Sequence, residues 1–174
     1  MLKTIALIIV LLIAGVLIFA STKPDDFRVE RSITIKAPPE KIAANVNDFH
    51  LWGAWSPWEK LDSAMKRSFS GAPSGQGAVY AWEGTGQVGA GRMEIMTVAP
   101  EKTSIKLDFI KPFEGHNTAE YSFVPQGDST QVTWAMYGPA PFISKVMGVF
   151  FSMDKMIGKD FEAGLANLKA VAEK

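Results

Sequence analysis

Cysteine is absent from the 174 residues, which excludes disulfides, thiolate nucleophiles and cysteine-based metal sites together. Histidine is nearly absent. His50 and His116 lie in separate segments that read as surface loops, without the H-x-x-H or H-E-x-x-H spacing that seats a metal on one helix face. No G-x-S-x-G elbow occurs, so the sequence cue for a serine hydrolase is missing. Neither sign of charge is in excess: 18 basic side chains meet 18 acidic ones, and setting aside Lys3 and Lys23 leaves 16 against 18. Without a basic field there is nothing to hold a phosphate backbone, and nucleic acid is not an expected partner.

Apolar residues, by contrast, are abundant at 47%. That supports one domain with a sizeable core. Part of it is not core, because "IALIIVLLIAGVLIFA" at residues 5 to 20 has no charged or polar side chain. As a helix the run spans ~24 Å, and neighbouring residues extend it towards a ~30 Å hydrocarbon layer. It exceeds the apolar stretch of a signal peptide, and Ile18-Phe19-Ala20 is a poor small-x-small cleavage site. Residues 1 to 22 therefore read as a single-pass membrane anchor, with a cleaved signal and a secreted chain as the alternative. Residues 23 to 26 form a short polar tether, and the domain is expected on the outer side of the cell membrane.

From Phe27 the pattern alternates strictly, with Phe27, Val29, Ile33 and Ile35 on one face and charged or hydroxyl residues on the other. "APPEKIAANVND" then starts a short helix, with prolines where the first turn tolerates them. Further strands are predicted at about 65–70, 78–83, 90–98, 103–111, 117–124 and 130–137, between segments rich in Gly, Pro, Asn and Asp. The last 30 residues change period: Met153, Ile157, Phe161, Leu165 and Leu168 form the stripe of a long amphipathic helix. The expected architecture is α+β, a curved antiparallel sheet of about seven strands with that helix over its concave face. One helix cannot fill such a face, so a cavity is expected between the two layers.

"RSITIKAPPEKIAANVND" leading into "WGAWSPW", the Gly-rich hairpin region and the terminal "MIGKDFEAGLANLKAVAE" together resemble the START-like superfamily. These helix-grip proteins (SRPBCC) include polyketide cyclase/dehydratase and lipid-transport members. The likeness covers residues 27 to 174. It implies a hydrophobic cavity between sheet and last helix, and it supplies no catalytic motif to carry over.

"GTGQVG" at residues 84 to 89 spells the dinucleotide fingerprint, but a strand-like "AGRMEIMTV" follows where a helix must open to hold pyrophosphate. It reads as a hairpin, and no cofactor is expected. "WGAWSPW", residues 52 to 58, reads mainly as a packed corner, with a carbohydrate platform or a membrane-touching edge as alternatives. Asp48, Glu59, Asp62, Glu83, Arg92, Glu94 and Asp108 are available for acid–base work, but charges on strands usually face water, so no catalytic pair is assigned. "PAPFISKVMGVFFSM", residues 139 to 153, holds too many apolar residues for one stripe. It reads either as an extension of the last helix's buried side or as an apolar lid that dips into the bilayer.

These features favour non-catalytic binding of a hydrophobic or amphipathic small molecule, including lipid, by a membrane-bound protein. The rivals are a cyclase/dehydratase-type enzyme using cavity carboxylates and an interaction module without a ligand. By strand parity the expected ligand contacts are Ile105, Leu107, Phe109, Tyr121, Phe123, Trp134 and Met136, with Trp82 beside them. Met153, Ile157 and Phe161 complete the set from the helix.

Overall fold

Alternation from residue 27 onward resolves into seven antiparallel strands. They are β1 (Asp26–Ile35), β2 (Lys66–Gly71), β3 (Ala78–Glu83), β4 (Ala90–Ala99), β5 (Lys102–Lys111), β6 (Gly115–Gln126) and β7 (Ser129–Pro139). The computed structural model describes residues 2–86 and 88–174. Across the sheet the order is β1-β7-β6-β5-β4-β3-β2. Strands β2 to β7 are successive hairpins, and β1 pairs with β7, Val29 opposite Met136 and Ile33 opposite Val132. Register shifts between β4 and β5 at Ala90/Gly91 and Ile95/Thr97 mark irregularities of the kind that bend and twist a sheet.

Since β1 and β2 lie on opposite edges, the chain between them must cross the whole sheet. Helix α2 (Pro39–Asn47) and two 3-10 turns (Phe49–Ala54 and Pro57–Lys60) make that crossing. Ile42 and Val46, four apart, are fully buried. The tryptophan corner is structural: Trp52 and Trp55 are buried, and their indole N–H groups donate to the carbonyls of Val46 (3.0 Å) and Asn45 (3.2 Å). Trp58 is half-buried against Trp134 and Phe161.

Helix α4 (Met153–Ala172) lies over β1, α2 and the two 3-10 turns, burying Phe161, Leu165, Leu168 and Ala172. Two glycines set how closely it lies. A side chain at Gly158 would collide with the Arg31 guanidinium, and one at Gly164 would meet the Trp134 ring at 2.7 Å. Arg31 in turn clasps the helix, donating to Asp154 at 2.9 Å and to Glu162 at 2.7 Å.

Helix α3 (Phe142–Phe150) does not extend α4. Phe151 adopts extended backbone and the Ser152 hydroxyl caps α4 by accepting from the Lys155 amide, so the two helices are separate. Its main partner is α1 (Leu2–Ser21), a helix long and apolar enough to cross a membrane. The reading of residues 139 to 153 as part of the last helix is thus corrected.

Register also fixes which loops share an edge. Asp26 faces Pro139, Tyr137 faces Thr118, Gly115 faces Phe109, and Ala90 faces both Lys111 and Glu83. The exit of α1, the start of α3, the β5–β6 loop and the β3–β4 loop therefore line one rim of the sheet.

Two outcomes are expected from this packing. Gly164→Ala improves helix propensity by about 1 kcal/mol but crowds a ring held between two others, so thermal unfolding should show net destabilisation of about 1–3 kcal/mol. The Arg31 clasp holds the Asp154 carboxyl below its ordinary pKa of 3.8. Its contribution is complete above that value and disappears as pH falls through the lower folded one. The stability gap between wild type and Arg31→Met should be constant above about pH 5 and shrink in more acid solution, as read by urea titration.

Candidate ligand-binding cavity

Between the rim half of the sheet and the first turns of α4 lies a hollow of about 200 Å³. Its floor is built by inward positions of consecutive strands: Tyr80 and Trp82 of β3, Met93 of β4, Leu107 and Phe109 of β5, Ala119 of β6, and Trp134 and Met136 of β7. Trp52, Trp58, Ser56 and Met65 close it from the crossing segment, and Ile157 and Phe161 cover it from α4. Of the residues lining it, Asp160 is exposed and Val88 and Ile157 are half-buried.

The walls are rings in contact. Trp134 stacks on Phe161 at 4.2 Å, Tyr80 lies over Trp82 at 5.9 Å, and Phe109 meets Trp82 edge-on at 6.1 Å. Gly91 makes room for this wall, because a Cβ there would strike the outer atoms of the Trp82 indole. The Trp82 N–H donates to the Val88 carbonyl at 3.1 Å, tying the β3–β4 loop to the cavity. Asp62 holds the same loop from outside, accepting from the Thr85 amide at 2.8 Å and hydroxyl at 3.0 Å. Those bonds keep the Asp62 carboxyl below its ordinary range.

Glu59 is the carboxylate set into the wall, its side chain only 9% exposed. One oxygen accepts the Tyr80 hydroxyl at 2.5 Å and the other accepts the Arg67 Nε–H at 2.6 Å. Burial, and then the negative charge it donates to, push the Tyr80 phenol well above its ordinary pKa. Tyr80 therefore stays a protonated donor. Trp134 differs, because among the described residues its buried Nε1–H has no acceptor, and the buried Tyr121 hydroxyl has no partner there either.

Of the contacts expected from the sequence, Trp82, Leu107, Phe109, Trp134, Met136, Ile157 and Phe161 come together around this hollow. Ile105, Tyr121 and Phe123 point the same way but sit farther along their strands, fully buried in the half of the sheet filled by α2, Trp52 and Trp55. Met153 is exposed, one turn outside, beside a second hollow of about 470 Å³ between the tether, α3 and the start of α4. Trp52, Trp58, Tyr80 and Met93 escaped the reading. Met93 and Tyr80 carry a parity signal; the two tryptophans sit in irregular backbone, where parity says nothing.

Most of the acid–base candidates lie elsewhere. Asp48 caps the first 3-10 turn, Glu83 pairs with Lys111, Arg92 with Glu94, and Asp108 with Lys106 and His116. His116 opens β6 and His50 lies in the first 3-10 turn stacked on Phe69, so neither is a loop residue. Among the described residues, no group of three His, Asp or Glu is placed to hold a metal. The "GTGQVG" segment is a hairpin loop leading into β4, with Gly86 and Gly89 at positive φ; Gln87 lies outside the described residues.

The same architecture recurs in solved structures. A protein from Thermobifida fusca superposes with a TM-score of 0.61 at 18% identity, over 83% of this chain and 92% of that one. Protein CV1439 from Chromobacterium violaceum gives 0.59 at 13% identity, over 87% and 99%. The di-domain ARO/CYC StfQ of the steffimycin biosynthetic pathway gives 0.62 at 11% identity, over 85% of this chain and 51% of that one. At such identities the likeness establishes the fold alone. No curated protein matches the sequence. The sequence pattern of one family, however, fits residues 26–173, and the chain belongs to that family: polyketide cyclase / dehydrase and lipid transport.

Proposed function

We propose that this protein binds a small apolar or amphipathic molecule in the hollow under α4, without catalysis, while α1 anchors it in a membrane. The observation that carries the reading is the wall itself: four tryptophans, Trp52, Trp58, Trp82 and Trp134, with methionines, around one hollow. Such a surface offers water few partners, so a ligand gains by desolvation. Size narrows the class. An apolar cavity of ~150 Å³ accepts benzene, so about 200 Å³ suits one or two rings or a short chain, and a two-chain lipid requires α4 to move.

Residues 1 to 22 act as the anchor and 23 to 26 as the tether of a domain over 27 to 174. The cysteine-free domain suits the oxidising, outer side of the cell membrane. Glu59 and Tyr80 on the cavity wall favour a second, enzymatic reading. It is weaker, because Glu59 already accepts from two donors and Tyr80 holds its proton.

2-Naphthol should quench the tryptophan fluorescence of the full chain in detergent saturably. Ala119→Leu fills the hollow from β6 and should weaken that binding at least about tenfold, a change of ~1.4 kcal/mol, while Ala166→Leu on the exposed side of α4 leaves it unchanged. Equal affinity in a folded Ala119→Leu protein would rule the cavity out as the site.

A further inference from the structure

Helix α3 has its polarity reversed for a helix in water. Ile143, Met147 and Phe150, spaced to share one face, are 63%, 51% and 65% exposed. Phe142 and Phe151 are exposed beside them. The residue buried beneath is Lys145, at 9%, whose ammonium donates to Asp25 in the tether at 2.5 Å. Apolar outside and charged inside is the arrangement lipid selects, and a soluble surface does not sustain an apolar patch of this kind without a partner.

Position says what the partner is. Helix α3 packs on α1, and on α1 the residues withdrawn from solvent are Ala14, Val16 and Ala20, near its end. The 20 residues of α1 measure ~30 Å, the thickness of a hydrocarbon layer. An element beside its last two turns then sits ~5–10 Å deep, the depth of an interfacial helix. The apolar face of α3 is thus continuous with the lipid-facing surface of α1. On the same rim the β5–β6 loop presents Phe113, 78% exposed, and Ile110 near the end of β5 is exposed as well. Val88, half-buried in the lining of the hollow, belongs to the β3–β4 loop of that rim too.

We propose that α3 lies within the near leaflet of the bilayer, that Phe113 touches the same leaflet, and that the hollow opens beside Val88 towards the lipid surface. The ligand class this implies is a molecule that partitions into membranes and enters from the bilayer rather than from water. The inference rests on α1 being a membrane anchor, as proposed above, and not on the cavity being occupied.

The absence of native cysteine makes the test direct. Single variants Phe150→Cys, Phe113→Cys, Leu11→Cys and Gln126→Cys are labelled with an environment-sensitive nitrobenzoxadiazole, and the full chain is reconstituted in phosphatidylcholine vesicles. Position 126, at the far end of β6, is the aqueous reference, and position 11, within α1, the lipid reference. Nitroxide-bearing lipids should quench labels at 150 and 113 several-fold more than at 126, with iodide showing the reverse order. A label at 150 or 113 that behaves like 126 while 11 behaves as lipid-embedded overturns the docking and leaves the anchor standing. Labels at 11 and 150 both open to iodide overturn the docking and the anchor together. Protection at 150 from iodide and lipid nitroxide alike overturns it in favour of a protein cover, such as a second copy.

Discussion

The stack of Tyr121, Trp134 and Phe161 holds the two layers of this protein apart. Tyr121 and Trp134 lie 5.0 Å apart at 28°, and Trp134 and Phe161 4.2 Å apart at 7°, with Trp55 edge-on to both Tyr121 and Trp134. Such pairs add about 0.5–1.5 kcal/mol each beyond the area they bury. More important here, close-packed rings cannot be compressed. Helix α4 comes down on this stack at Gly164 and is held nearer its start by Arg31. Fixed at two places, it cannot collapse onto the rim half of the sheet. The cavity is what remains.

That division gives each half of the concave face a separate task. The far half is solid, filled by Ile42, Val46, Trp52, Trp55 and the strand residues beneath them. The rim half stays hollow and apolar, and the Glu59 carboxylate embedded in its wall is paired with Arg67 and accepts from Tyr80. The rim is also where the chain leaves α1 and where α3 turns its apolar face outwards. The hollow and the exposed apolar helices α1 and α3 are thereby gathered on one side of the domain.

Period and parity made the strands legible: β3 begins and ends where alternation places it, and the boundaries of the others differ by at most two residues. Parity states which face a side chain takes, not how far along the sheet it sits. Ile105 and Leu107 share a face, yet only Leu107 reaches the hollow, because the crossing segment fills the space above Ile105. Position along the sheet depends on where α2 and the tryptophan corner lie, and no local pattern encodes that. Residues 139 to 153 were ambiguous for a related reason. A helix that exposes Ile143, Met147 and Phe150 has apolar residues outside the stripe that water would allow, and a 3.6-residue period read for water finds no single face.

The central claim, an apolar hollow confined to the rim half, is tested most directly by methionine methyl resonances. The chain carries eight methionines, of which Met65, Met93 and Met136 line the cavity while Met96 and Met156 are exposed. Adding 2-naphthol to carbon-13 methyl-labelled protein should shift the first three signals saturably and leave the last two in place. Shifts at Met96 and Met156 with none at Met93 and Met136 would contradict the account.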